Sequence, residues 1–283
     1  MRTKPSFQDS VRIMISIMPF LVFSGCQKVI NVDLNEAAPR IVIEGLINDR
    51  RGPYAVIISK SGSYFNQPVL EAVSGAQAII TDNFTNVDTL IEKAPGVYIT
   101  KELRGVPGRI YTLKVISEGE EYSGTSTMSN RVNIDSLKLV KSDYQRFEFD
   151  GNNRADSHTE IHCFFRDPPE KNYYRIKVYK NDSINTESYR LYDDQYTNGR
   201  LTELRVIHAE AHATYRIELL SLDKQTYGYY RTLQDLLYSN PFFGSTPANP
   251  NNNLSNGALG YFGTCAVSSK TIIITDSLIN SVK

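Results

Sequence analysis

From residue 40 to 128, apolar and polar positions alternate in short runs, and each run is broken by turn residues. Period-two alternation places successive side chains on opposite faces of a strand. In residues 109–115, Tyr111, Leu113 and Val115 fall on one face and Ile110, Thr112 and Lys114 on the other. Residues 40–45, 54–59, 78–81, 96–100 and 121–127 read the same way, and Gly52-Pro53 marks a turn. No window in this half has a helical period. Many short strands with Gly and Pro turns predict a β-sandwich. The runs from Val73 to Ile80, Pro95 to Tyr98 and Pro107 to Leu113 look like the prealbumin-type regulatory modules of bacterial surface proteins.

The pattern continues in a second half. Strands are expected over 135–140, 160–166, 173–179, 188–192, 204–208, 214–220 and 260–268, with turns at Asp167-Pro168-Pro169 and Asn198-Gly199. One stretch differs. After Asp223, a plausible N-cap, Tyr227, Tyr230, Leu233, Leu236 and Leu237 recur at helical spacing up to Asn240-Pro241. This predicts a helix near 224–239, with its apolar stripe packed on a sheet. The longest irregular run follows, from 240 to 260, with Phe242, Phe243, Asn249 and Asn252 as candidates for a ligand or partner edge. The plainer reading is a crossover loop covering the end of the sandwich. The expected fold is mainly all-β. A prealbumin/Ig-like sandwich over 39–130 packs on a second β-rich domain over 131–283 that carries one short helix.

The N-terminus reads as an address. Arg2, Lys4 and Arg12 precede an apolar run of 11 residues, 13–23. A bilayer span needs about 20 residues, so the run fits the core of a secretory signal over 1–25. Ser24-Gly25-Cys26 follows and resembles the bacterial lipobox, in which the cysteine is lipidated; Phe23 stands where Leu is usual. Residues 26–38 would then be a lipid-anchored tether. Gln27 after the cysteine favours the outer membrane, by resemblance to lipoprotein sorting. The whole chain has 31 basic and 31 acidic residues. Removing the signal takes three bases and one acid, leaving 28 against 30, a net −2. Neither balance suits a nucleic-acid binder, which needs a basic excess. Cys163 and Cys265 remain, both at apolar strand positions, and read as buried thiols in a compartment that would permit a disulfide.

All four histidines fall in two copies of one pattern, His158-Thr159-Glu160-Ile161-His162 and His208-Ala209-Glu210-Ala211-His212. On strands, His-x-Glu-x-His places three polar side chains on one face, against Ile161, Cys163 and Phe165 on the other. Imidazole and carboxylate suit zinc or copper. A solvated strand face carrying His and Glu is the simpler account. The zinc-peptidase order His-Glu-x-x-His, a phosphate-binding loop and a Gly-x-Ser-x-Gly elbow are all missing. The pairs Asp193-Asp194 and Glu120-Glu121 sit in turn-like contexts, and a hydrolase ranks last. The Tyr-rich stretch 173–230 could stack on sugars or peptides, although Tyr is also a good strand residue.

Further motifs run through the mature chain in order. They are Ile43-Glu44-Gly45, Gly52-Pro53-Tyr54, Ser74-Gly75-Ala76, Leu103 to Gly108, Ile134-Asp135-Ser136-Leu137, Phe165 to Pro169, Asn172-Tyr173-Tyr174-Arg175 and Asn256 to Gly263. Together with the lipobox, this order resembles a domain family of Bacteroidota outer-membrane lipoproteins with no assigned activity, typically encoded beside TonB-dependent receptors. The resemblance implies a membrane-anchored, non-enzymatic accessory to uptake, with a receptor barrel as partner. It supplies no catalytic residues and no cofactor. A zinc- or copper-binding lipoprotein using the two histidine strands is the alternative.

Overall fold

The computed structural model describes residues 38–62, 70–146, 154–185, 190–238 and 249–282, with backbone alone at 142–146 and 154–158. The signal, Cys26 and the tether up to residue 37 lie outside them. The first half contributes β1 (Ile41–Asn48), β2 (Ala55–Lys60), β3 (Glu71–Ala72), β4 (Gln77–Asp82), β5 (Val87–Thr89), β6 (Ile91–Ala94), β7 (Val97–Ile99), β8 (Ile110–Ser117) and β9 (Glu120–Thr127). The second contributes β10 (Ile134–Arg146), β11 (Arg154–Arg166), β12 (Tyr173–Lys180), β13 (Ser183–Ile184), β14 (Arg190–Asp193), β15 (Leu201–His208) and β16 (Thr214–Leu222). Helix α1 (Lys224–Leu237), β17 (Leu259–Ile273) and the short α2 (Asp276–Ser281) close the chain. The architecture is the mainly-β sandwich expected.

One sheet runs through both halves, in the order β13-β12-β16-β17-β1-β2-β7-β6, with β14 on β12 and β3 on β2. The long strand β17 makes this possible. Its first part pairs in parallel with β1, from Val42↔Leu259 to Asn48↔Cys265, and from Cys265 onward it pairs antiparallel with β16. A four-stranded sheet, β5-β4-β8-β9, and a three-stranded sheet, β10-β11-β15, complete the layers.

Alternation along the strands builds the cores. Tyr111, Leu113 and Val115 of β8 face Ile43, Ile58 and Phe262 of the large sheet in one buried cluster. Ile161, Cys163 and Phe165 of β11 face Ile176, Ile217 and Leu219 in a second. Both clusters use one face of the large sheet. Residues one position along point to the other face, where Leu220, Leu222, Cys265 and Val267 are buried with Tyr229 and Tyr230 of α1. Burial of such side chains contributes about 1.5–3 kcal/mol each. Cys163 and Cys265 are free and buried in different clusters, and burial pushes each thiol up to about 12.

Helix α1 begins at Asp223, whose side chain accepts the Thr226 N–H. Tyr230 of the expected stripe is buried on the sheet and Tyr227 and Leu233 pack partly against it, but Leu237 is 59% exposed and the buried Thr226 and Tyr229 lie outside that stripe. The helix approaches β17 at Gly263, where a Cβ would come within 2.6 Å of Thr226 Oγ1. Helix α2 was not legible, because six residues hold too short a period to see. The hairpin β10–β11 is longer than the apolar runs suggested, reaching Arg146↔Arg154 in register. Among the described residues no helix is long and apolar enough to cross a membrane.

Candidate functional site

The two histidine motifs have different fates. β11 carries Glu160 and His162 on the face away from Ile161 and Cys163, as alternation requires. The second motif is not a strand. β15 stops at His208, and residues 209–213 turn, with His212 at φ 60. The turn is held by Tyr215, whose hydroxyl accepts the Glu210 N–H at 3.2 Å. The expected outward row therefore breaks up. Glu210 pairs with Lys180, and His212 Nε2 lies 3.4 Å from Asp276 Oδ1. The side chain of His158 is outside the described residues.

His208 does join the first motif, because it stands opposite Glu160 in the β11–β15 register. His208 Nδ1 is 3.5 Å from Glu160 Oε1, and His162 Nε2 is 3.5 Å from Oε2. Arg205 Nη2 lies 2.7 Å from Oε1. Glu203 takes the other side of His162, at 2.7 Å from Nδ1. Glu160 is not the solvated acid its strand position suggested: it is 2% exposed, roofed by these longer side chains. Glu160 Oε1 is held by the Arg205 ion pair, and His162 Nε2 is buried without a hydrogen-bond partner. Among the described residues no group of three or more His, Cys, Asp or Glu could hold a metal ion.

Phe242 and Phe243 lie outside the described residues. Asn249 is exposed. Asn252 is engaged by its own loop, donating to the Ala258 carbonyl at 3.0 Å. Its neighbour Asn253 stitches the loop to β17 by accepting the Phe262 N–H at 3.0 Å.

A second constellation lies on the large sheet beside α1, where sequence reasoning had placed only a packing helix. The register puts Ile57, Glu44, Tyr261 and Leu46 on the same face as Leu222, Leu220, Glu218, Arg175 and Lys177. Helix α1 covers part of this face and adds Tyr229, Tyr230 and Leu233. Tyr229 stacks on Tyr261 with centroids 4.3 Å apart, and the Tyr230 and Tyr261 hydroxyls are 2.6 Å apart. The Arg175 guanidinium sits 4.2 Å over the Tyr230 ring, a cation–π geometry. Burial, then the Tyr230 hydroxyl, raise the Tyr261 phenol well above its ordinary value, so it stays neutral.

Between these groups is a cavity of about 390 Å³, lined by Arg175, Lys177, Tyr230, Tyr261, Leu46 and Leu233 among others. Burial pulls the Lys177 ammonium below its ordinary value, and neighbouring Arg175 pulls it the same way. Next to it, buried Glu218 is shared by Arg50 and Arg216, at 2.7 and 2.5 Å. A signal for this site existed in the strand 173–179. Tyr173, Arg175, Lys177 and Tyr179 alternate with apolar residues. The return of a helix onto that same face could not be read from spacing.

No curated protein matches the chain. The model of one family matches residues 27–271, which is most of the chain and takes in both halves of the shared sheet. The chain therefore belongs to the family described as Domain of unknown function (DUF4249).

Proposed function

We propose that the protein is a lipid-anchored outer-membrane lipoprotein acting as a non-enzymatic accessory or substrate-capture subunit of a TonB-dependent uptake receptor. The observation that carries this reading is the apolar run 13–23 ending in Ser24-Gly25-Cys26. Several acyl chains, at roughly 0.8 kcal/mol per buried methylene, give stable anchoring. The ordered motifs that resemble Bacteroidota lipoproteins encoded beside such receptors support the partner. A sheet-based body with an aromatic and cationic recess suits capture, because a site on strands is held rigidly. Affinity purification from detergent-extracted membranes tests the reading. A barrel-sized partner should co-purify, and recovery of the protein without one overturns it.

The second reading is a zinc- or copper-binding lipoprotein. It rests on the repeated His-x-Glu-x-His pattern and on His162 and His208 each lying 3.5 Å from one oxygen of the Glu160 carboxylate, although among the described residues they do not form a metal cage. A metal there would have to displace Arg205 from Glu160. Metal analysis of the purified protein, with zinc and copper titration, tests it, and absence of uptake sinks it.

A further inference from the structure

Just beyond the end of β1, residues 51–53 meet residues 101–104 around a recess of about 470 Å³. That is within the usual range of a small-molecule site, about 300–1,000 Å³. An isolated antiparallel bridge joins the two segments and sets Arg51 opposite Arg104. Residues opposed in this way have Cβ atoms about 4.5–5.5 Å apart on one face, and like charges there are destabilising. Lys101 adds a third cation to the recess, against one exposed carboxylate, Glu102. The side chains of Arg51 and Lys101 have no hydrogen bond or ion pair among the described residues, and Arg104 donates only from Nε, to the Asp49 carbonyl at 3.4 Å. The other carboxylates nearby are engaged elsewhere. Arg131 holds Asp49, Arg109 holds Asp82, and Asp88 is spent on backbone N–H groups. Two arginines opposed across a bridge break a local rule of strand pairing, and such positions are where function is expected.

The loop that carries two of these cations is set in advance. Asp88 is 8% exposed, and its Oδ2 accepts the N–H groups of Lys101, Glu102 and Leu103 at 3.1, 3.0 and 2.9 Å. At Gly105 a Cβ would come within 2.3 Å of the Asn48 carbonyl oxygen, so the loop lies directly on the end of β1. A preorganised site loses less entropy on binding. The guanidinium forks decide the ligand. Each fork presents a planar pair of donors that matches two oxygens. A carboxylate has oxygens for one fork. A phosphate monoester has three terminal oxygens and about −1.5 to −2 charge at pH 7, enough for both forks and the Lys101 ammonium. Pro53 and Leu103 complete the lining with apolar surface for a short organic substituent. The eight residues of β1 put the recess roughly 25 Å from Ile41, at about 3.3 Å per residue. It thus lies at the far end of β1 from the point where the proposed tether joins the sheet, a position that suits a free ligand better than a headgroup of the anchoring membrane.

We infer that this recess binds a small free phosphate monoester, with Arg51, Arg104 and Lys101 meeting its terminal oxygens. The inference deepens the substrate-capture reading and rests on it. Isothermal titration of the full-length protein in non-ionic detergent tests it with glycerol 3-phosphate, glycerol and malonate, and with phosphatidic acid in mixed micelles. Glycerol 3-phosphate should bind, glycerol should not, and malonate should bind about tenfold more weakly, the loss of one charge-assisted hydrogen bond. Arg51→Gln should weaken glycerol 3-phosphate binding by about the same factor and leave Tm equal or raise it, because the opposed charges are relieved. Arg51→Lys, which keeps the charge without the fork, should also bind more weakly than the wild type. No binding of glycerol 3-phosphate, equal binding of malonate, unchanged binding in Arg51→Gln, a Tm lowered by that substitution, or capture of phosphatidic acid without glycerol 3-phosphate would each overturn the site. Receptor co-purification separates the two readings. If Arg51→Gln keeps the barrel partner but loses the phosphate ester, both stand. If the wild type binds glycerol 3-phosphate without a barrel partner, only the receptor reading falls. If the barrel co-purifies and glycerol 3-phosphate does not bind, only the site falls.

Discussion

Arg131 clamps Asp49. Its Nε and Nη2 both reach Asp49 Oδ2, at 2.8 and 2.6 Å, while Oδ1 accepts the Val267 N–H at 2.9 Å. Asp49 directly follows β1, Arg131 lies between β9 and β10, and Val267 belongs to the shared strand β17. One buried carboxylate thus joins the first half, the segment between the halves and the strand common to both. Removing one partner of a buried pair costs about 3–5 kcal/mol. The Arg131 side chain is 43% exposed, which moves the expectation to the low end. Asp49→Ala should lose about 3 kcal/mol in urea denaturation. A loss under about 1 kcal/mol would show the clamp to be idle.

Gly260 is required by the parallel pairing of β1 and β17. It stands opposite Ile43 at φ 93, and a Cβ there would come within 2.1 Å of the Ile43 carbonyl oxygen. Backbone, not a flexible side chain, would have to move. Gly260→Ala should therefore cost more than about 4 kcal/mol, in the range reserved for severe core defects. Gly75 is the control. It has φ 75 but nothing within 4 Å of a Cβ, so Gly75→Ala carries only the left-handed penalty of about 1 kcal/mol. Comparable losses at the two positions would refute the close-approach account.

That contrast also indicates what the sequence made legible. Alternation gave the inward faces of β8 and β11 residue by residue, because period two needs only local information. It also gave α1, through Asp223 and the spacing of its apolar stripe. It did not give the parallel union of β1 with β17, since those strands are over 200 residues apart in the chain. The same limit applied to sites. Glu160 and His162 were readable as neighbours on one strand. The arrival of Arg205 and His208 depends on the β15 register, and a shift between Ile161 and His162 sets it. The recess at Lys177 needed both β12 and a helix some fifty residues later.

Two buried carboxyls should answer pH in opposite directions. Burial pushes the Asp82 carboxyl up, but hydrogen bonds from Asn86, Arg109 and the Phe84 N–H outweigh it and hold it below 3.8. Its contribution to stability is present above the unfolded value and lost as pH falls through the folded one. Asp167 is raised, chiefly by burial, against the pull of the Tyr174 hydroxyl and the Gly199 N–H. Its contribution is fullest below 3.8 and declines as pH rises through its folded value. Urea titrations from pH 3 to 7 should show the wild-type advantage over Asp82→Asn growing with pH. The advantage over Asp167→Asn should shrink. Parallel curves would contradict both assignments.

Cys26 is the proposed acyl acceptor, and its removal should release the protein. Cys26→Ala should move from the membrane to the soluble fraction and should not incorporate a labelled palmitate analogue that the wild type takes up. A membrane-bound, unlabelled wild type would mean that anchoring comes from something other than lipid.

Asp223 does two jobs with one carboxylate. Oδ1 accepts the Thr226 N–H at 2.6 Å and so caps α1, while Oδ2 accepts the Thr127 N–H at 3.1 Å and the Ser126 hydroxyl. Ser126 also contacts Thr264 on β17, at 2.9 Å. The start of the helix is thus fixed to the edge of the four-stranded sheet and to the shared strand together. Losing an N-cap alone costs about 1 kcal/mol, and the two further hydrogen bonds, one exposed and one part-buried, add about 0.5 kcal/mol each, the low end of the ordinary range. Asp223→Ala should therefore lose about 2 kcal/mol, whereas Asp223→Asn, which keeps a capping oxygen, should lose less than half of that. The local consequence is more telling than the global one. Tyr229, Tyr230 and Leu233 form one wall of the recess at Lys177, and they are placed by this helix. Amide hydrogen exchange in Asp223→Ala should accelerate over residues 224–237 before it does in β1 or β16. If exchange rises equally across the sheet, α1 is an integral part of the core and not a separately tethered wall.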